Sequence, residues 1–326
     1  ELDVDYRQVD ELWIALAPGQ VSLLKEAQFR GESHGAKGFA LVGPQKIREL
    51  EPHISPNAVA GLHAKGLGVI YPPQWGRALV AHAVQNGAQL FLQTAVRNIT
   101  KNENGTFLID TSGGILSAKY VINAAGLYAD EIAKMVGDCD IRLILRKGTM
   151  LIFDKSVSHL ARHMLIGTSG APHSQNIAPT VHGNLIAGIH YAKAEHKTDT
   201  KVSREGIRET LKLGQQLIPA LSEADIITSF AGILAHDAMT PDGDFYIAPS
   251  QQEPHLIHIV VGAPGLSAAP GIADYVIGLL DDSGLKTEKK RTAGTRRRRQ
   301  PRFESASDKQ RQHMIAGNPK HGHILC

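Results

Sequence analysis

Two stretches of this 326-residue chain pair small residues with a following helix, a combination that lets backbone approach a ligand closely. The first is Val121-Ile122-Asn123-Ala124-Ala125-Gly126-Leu127-Tyr128-Ala129-Asp130. Its β-formers lead into residues that turn tightly, and Asp130 and Glu131 then put negative charge in the first turn of a helix. The second is Gly262-Ala263-Pro264-Gly265-Leu266-Ser267-Ala268-Ala269-Pro270, where a strand enters a Gly/Pro loop before another helix. The start of that helix presents unpaired N–H groups and a partial positive charge, which suit an anion or a negative charge that develops during a reaction. A third stretch, Arg146-Lys147-Gly148, sets two cations beside a glycine, and Lys147 is a candidate for binding a carboxylate or phosphate. A charged pair that is merely solvated at a strand end is the alternative reading.

These residues need elements to hold them. Trp13 to Ala17 and Phe39 to Val42 read as strands, Val21 to Phe29 as a helix, and Pro44 to Leu50 as a short helix that Pro52 ends. Trp75 to Asn86 reads as a helix with Trp75, Leu79 and Ala83 along one stripe, stopped by Gly87. Leu90 to Leu92 is expected as a short strand. Val96 to Thr100, Thr106 to Asp110 and Ile115 to Ile122 follow with turn-formers between them, the pattern of an antiparallel meander that delivers the chain into Asn123 to Gly126. Ile141 to Leu145 and Met150 to Phe153 are expected as strands joined through residues 146–149, and Ile177 to Val181 is expected to pair with Leu185 to Ile189. Ser203 caps an amphipathic helix to Leu217. Ile226 to Phe230 is a strand entering Ala231-Gly232-Ile233-Leu234. Leu256 to Val261 is another, interrupted by the polar His258. The last helix carries Ile272, Val276, Ile277 and Leu280 on its apolar face, with Ser267 or its neighbours at its N-terminus.

Composition narrows the class. The chain is 42% hydrophobic and 21% charged with a net charge of +3, enough to bury a sizeable core and typical of a globular protein. Lys286, Lys289, Lys290, Arg291, Arg296 to Arg299 and Arg302 crowd into one late segment, so no specific nucleic acid is expected as a partner. Cys139 and Cys326, far apart, give no disulfide framework and suit a reducing compartment. No apolar run reaches the ~18 residues of a membrane span, and the first ten residues are too polar for a signal peptide. The expected location is cytoplasmic, or peripheral to the inner face of a membrane.

The strings 121–130 and 262–270, in this order with Glu51-Pro52-His53, Gly68 to Pro72, Arg146-Lys147-Gly148 and Pro179 to Asn184, resemble FAD-dependent oxidoreductases of the D-amino-acid oxidase superfamily. Within it they are most similar to the glycerol-3-phosphate dehydrogenase and L-2-hydroxyglutarate oxidase branch. The resemblance implies an α/β fold, with an incomplete Rossmann-like FAD-binding lobe (about 66–137 and 241–280) interleaved with an α+β, antiparallel-sheet substrate lobe (about 1–65 and 138–240). A basic linker over 281–302 is expected next. Residues 303–326 resemble the entrance to a cysteine-rich [2Fe-2S] module, in which Cys326 would be the first metal ligand.

The resemblance also implies FAD contacts at Val96, Ala125, Gly126, Gly232, Gly265, Leu266 and Ser267. Relatives usually carry an arginine where this chain has Leu234; that departure leaves His236 and Lys147 as candidate substrate-anion binders and favours a carboxylate over a phosphate. No G-x-G-x-x-G occurs, and the first βαβ unit of ~30 residues and the histidine base are expected to precede Glu1, so no catalytic residue is assigned. The implied reaction oxidises a small 2-hydroxy acid or glycerol 3-phosphate by hydride transfer to flavin N5, with a quinone, a partner subunit or oxygen as electron acceptor. The alternative is a noncatalytic, degenerate flavoprotein-like fragment serving as a scaffold or anion-binding subunit.

Overall fold

The computed structural model describes residues 2–168, 175–237, 244–288, 290, 294, 302–303 and 306–323. In chain order the elements are β1 (Tyr6–Gln8), β2 (Glu11–Ala15), α1 (Val21–Ser33), β3 (Phe39–Val42), α2 (Pro44–Leu50), β4 (Ala60–Ala64), β5 (Gly68–Ile70) and α3 (Pro72–Gln85). Then come β6 (Val96–Lys101), β7 (Phe107–Thr111), β8 (Gly114–Ala118), β9 (Val121–Asn123), α4 (Ala129–Met135), β10 (Leu143–Phe153), β11 (Met164–Gly167), β12 (Asn176–Pro179) and β13 (Leu185–Lys193). The chain continues through α5 (Arg204–Leu217), β14 (Ile226–Asp237), β15 (Tyr246–Pro249), β16 (Leu256–Val260), α6 (Gly265–Asp282) and α7 (Asp308–Gly317).

An eight-stranded sheet in the order β14-β10-β13-β12-β11-β2-β4-β3 dominates the unit formed by Asp5–Pro72 and Phe91–Lys289. It is antiparallel apart from the β11–β2 pair. Leu12, Ile14, Leu151, Phe153, Leu165, Ile177 and Leu185 project from it into the main core, which α5 closes with Leu211 and Leu217. Helix α5 starts where Ser203 accepts a hydrogen bond from the Gly206 N–H at 2.9 Å, and it stops before Pro219. Gly206 lets it sit tightly on β10, since a Cβ there would lie 2.7 Å from Thr149 Oγ1. Two small sheets complete the unit: the meander β6-β7-β8, and β15-β16-β9, in which β9 and β16 run parallel.

The second unit comprises Glu1–Val4, Pro73–Leu90 and Lys290–Cys326. Its described residues include most of α3 and all of α7, with Asn86 Oδ1 accepting from the Gly294 N–H at 2.9 Å. No helix among the described residues is long and apolar enough to cross a membrane.

Several local expectations change. Leu90 and Phe91 are irregular and Leu92 enters a turn with Gln93; the three apolar side chains are exposed, and no strand among the described residues pairs with them. Residues 146–149 are not a connection but the middle of β10, because β13 and β14 flank that strand on both sides. The segment 115–122 breaks at Lys119-Tyr120 into β8 and β9, which join different sheets. In α3 the buried residue is Ala78, while Leu79 is exposed; in α6, Val276 and Leu280 are buried and Ile277 is exposed.

Candidate functional site on the open sheet face

Side chains alternate across a sheet, so the two faces of β10 can be read from its register. Thr149 faces α5, as do Lys147 and Leu151 by parity. Arg146, Gly148 and Met150 therefore face the other way. On this second face Arg146 lies opposite Lys193 of β13 and Leu234 of β14, Gly148 lies opposite Tyr191 and Gly232, and Met150 lies opposite Phe230.

Ile144 and Phe230, also on this face, are 48% and 44% exposed, so an apolar surface lies open. Its floor is bare at Gly232 but not at Gly148. A Cβ on Gly148 would stand 2.6 Å from Ile189 Cγ2 and 3.3 Å from the Tyr191 ring, which cover that position, whereas one on Gly232 would meet nothing within 4 Å. Burial pushes the Tyr191 phenol above its ordinary range, and the positive charge of Arg146 pulls the other way.

Of the two adjacent cations, Lys147 is turned away from this face and its ammonium donates to Asp199 at 2.8 Å. That hydrogen bond holds the Asp199 carboxyl below the usual carboxylate range. Lys197, six residues on from the Tyr191 end of β13, joins the same loop to α4: it donates to Asp130 at 2.6 Å and to Glu131 at 2.7 Å, and its ammonium lies 5.0 Å from the centre of the Tyr128 ring.

The turn at Asn123 to Gly126 is built on buried hydrogen bonds. Asn123 Nδ2 donates to the Ala129 carbonyl at 2.8 Å and to His258 Nδ1 at 2.9 Å, while its Oδ1 accepts from the Ala125 N–H at 3.3 Å. His258, fully buried, donates through Nε2 to Asp138 at 2.9 Å. This Asn–His–Asp chain locks the end of β9 onto β16 and fixes the direction in which the turn leaves the sheet. Gly126 has φ +56° and open space where a Cβ would stand. The short 3-10 turn Gly126–Tyr128 lies beside β14, so the turn and the strand bearing Gly232 are brought together.

The other candidates are placed as follows. Ala125 immediately precedes that turn. Val96 opens β6 on the meander, and its side chain is exposed. Gly265 opens α6, Leu266 is 44% exposed, and Ser267 lies inside the first turn; the helix is preceded by Pro264, with no side chain capping it. Ser267 therefore does not serve as the N-cap. His236 is in β14 opposite Ile144, with its side chain outside the described residues. Cys326 and Arg296 to Arg299 lie outside the described residues as well.

One further cluster was not foreseen. Asp10, His63 and His163 bring one potential ligand atom each within 4.8 Å of one another. Beside them the fully buried Glu51 accepts from the Arg162 N–H at 2.9 Å, the His163 N–H at 2.6 Å and His163 Nδ1 at 2.6 Å. Burial works against the Asp10 carboxylate, but the Gly66 N–H and His63 outweigh it and hold its carboxyl below the ordinary value. The four side chains pin together β2, β4, α2 and the start of β11, a positioning role for the far part of the sheet.

Comparison with known proteins agrees with this architecture. The glycerol 3-phosphate dehydrogenase of Caloramator mitchellensis is 31% identical over 328 residues, covering 100% of this chain and 68% of that protein. The glycerol 3-phosphate oxidase of Mycoplasma pneumoniae is 27% identical, covering 80% of this chain and 69% of its own length. The FAD-bound, dithionite-reduced structure of L-alpha-glycerophosphate oxidase from Mycoplasma pneumoniae superposes with a TM-score of 0.82 at 25% identity, over 89% of this chain and 76% of that one. Glycine oxidase from Geobacillus kaustophilus shares the fold with a TM-score of 0.74 at 21% identity, over 86% of this chain and 72% of that one. Residues 1–279 match the family described as FAD dependent oxidoreductase, and with the sheet, the turn and these relatives in agreement, the chain belongs to the DAO family of FAD-dependent oxidoreductases, related to glycerol 3-phosphate dehydrogenases and oxidases.

Proposed function

We propose that this chain oxidises the CH–OH carbon of a small anionic alcohol, glycerol 3-phosphate or a 2-hydroxy acid. The observation that carries the reading is the open apolar face of β10, β13 and β14, with cations at its edge and the Gly126 turn beside it. The residues present suit the ring-bearing half of FAD. Gly126 combines a positive φ with open space, so main chain can come close to a flat ligand there, and Gly232 offers the same clearance on the sheet. Bound FAD would supply the redox chemistry by accepting a hydride.

What the chain's own residues contribute is placement and charge. Ala125, Gly126 and Gly232 set the closest approach of backbone to the ring, and Gly265 and Leu266 open α6, whose N–H groups suit negative charge. Ser267, in that first turn, and Val96, at the head of the meander, complete the proposed contacts. Ile144, Met150 and Phe230 give an apolar floor that a ring seated on it would shield from water. His236, on β14 opposite Ile144, remains a proposed anion ligand, whereas Lys147 is on the α5 side of β10, paired with Asp199, and does not reach this face. A quinone, a partner subunit or oxygen is proposed as the acceptor of the electrons.

The test is anaerobic reduction. The chain is loaded with FAD, and glycerol 3-phosphate, lactate or 2-hydroxyglutarate is added without oxygen. Loss of the oxidised-flavin absorbance with at least one of them is the expected result. An FAD-loaded protein that none of the three reduces would overturn the proposal.

A further inference from the structure

The geometry points to Arg146 and Lys193 as a clamp for a phosphate dianion, a role that rests on the function proposed above and names the anion site within it. The two residues are direct cross-strand partners on β10 and β13, and both are exposed on the face away from α5. Like charges directly opposite one another on an antiparallel pair repel, so this pairing costs stability unless an anion lies between them. Lys147, next to Arg146 in the chain, is neutralised by Asp199, and Lys197, four residues on from Lys193, by Asp130 and Glu131. Among the described residues, Arg146 and Lys193 have no acidic partner. The third strand brings no carboxylate to the spot either, since β14 places Leu234 opposite Arg146.

The next step along the same face gives the clamp its context. Two residues further into the sheet lie Gly148, covered by Ile189 and the ring of Tyr191, and beside it the bare Gly232. Register neighbours two apart on a strand are separated by about 7 Å, the scale of a three-carbon chain ending in phosphate. A guanidinium fork and an ammonium together offer donors to more than one phosphate oxygen, whereas a single carboxylate is satisfied by the guanidinium alone. The loss of arginine at 234 therefore does not decide for a carboxylate, because the register supplies a different pair of cations on the same face.

Titration calorimetry of the purified chain with glycerol 3-phosphate, inorganic phosphate and lactate tests this without requiring turnover. Arg146→Gln and Lys193→Gln should each weaken both phosphate ligands about tenfold or more while changing lactate by less than about threefold. Lys155→Gln, which removes one positive charge elsewhere, should leave all three affinities unchanged. Arg146→Lys keeps the charge without the fork and should fall between wild type and Arg146→Gln, which guards against a variant that merely misfolds. Wild-type phosphate affinity in both glutamine variants would overturn the clamp, as would equal losses for phosphate and lactate. Failure of the FAD-loaded chain to be reduced, with phosphate binding still lost in the variants, would instead overturn the oxidase reading and leave the clamp standing.

Discussion

At the scale of single residues, the chain's charged groups divide into those the fold satisfies and those it tolerates at a cost. Asp138, His258 and Asn123 are satisfied: both ring nitrogens of His258 and both amide atoms of Asn123 meet partners, so the low dielectric strengthens the network. Glu11 on β2 is a tolerated group. Burial raises its carboxyl above the ordinary value, and the hydrogen bond it accepts from Trp13 Nε1 only partly offsets this. A raised folded-state value means that the protonated form is the one the fold prefers. The contribution of Glu11 to stability is then fully present below its unfolded value of about 4.3 and is lost as pH rises through the higher folded value. Glu11→Gln keeps a carbonyl oxygen for Trp13 and removes the charge. The variant is expected to melt at a higher temperature than wild type at pH 7 to 8, with the gap closing near pH 4. Thermal denaturation across that range checks it, and a gap that widens toward acid would contradict the assignment.

At the scale of elements, glycines decide how closely helices can seat. Gly206 lies against Thr149, where a Cβ would stand 2.7 Å from the hydroxyl, while Gly278 in α6 has nothing within 4 Å. Gly206→Val should therefore push α5 off β10 and cost about 1–3 kcal/mol of stability. Gly278→Ala should instead stabilise by about 0.5–1 kcal/mol, because it lowers the entropy of the unfolded chain without a clash. Urea titrations of the two variants should move in opposite directions. Elements bounded by their own residues were legible in the sequence: Pro44 and Pro52 delimit α2, and Ser203 and Pro219 delimit α5. Elements bounded by their neighbours were not. Residues 146–149 carry two cations and a glycine, which read as a connection, yet two flanking strands hold them extended. Leu90 to Leu92 is apolar enough for a strand but has no partner strand among the described residues, so it forms none. The candidate site shows the same division. The small-residue turn at Asn123 to Gly126 was readable locally, whereas Asp138 and His258, which support it, lie 120 residues apart in sequence and left only the oddity of a histidine in an apolar strand. The facing of Arg146 and Lys193 is a property of register, which no local pattern specifies.

At the scale of the whole molecule, the modest net charge of +3 conceals an uneven distribution. Nine of the lysines and arginines fall between positions 286 and 302, leaving the rest of the chain with more acidic than basic side chains. The small anionic substrate proposed above would thus not be drawn in by the field of the whole body, and its recognition would have to come from local cations such as those on the open sheet face. The basic segment has a different physics. Its run Arg296 to Arg299 has no interleaved aromatics, and aromatic stacking or a groove-reading element is what gives nucleic-acid binding its sequence preference. Binding there should be electrostatic alone. If the four arginines neutralise about four phosphates, affinity for duplex DNA should fall by about two orders of magnitude for a fourfold rise in salt, equally for any sequence. Titrating labelled duplexes of unrelated sequence at low and near-physiological salt measures both quantities. Tight binding to one sequence that survives the higher salt would require a reading element beyond charge, and would make nucleic acid a partner of the chain in its own right.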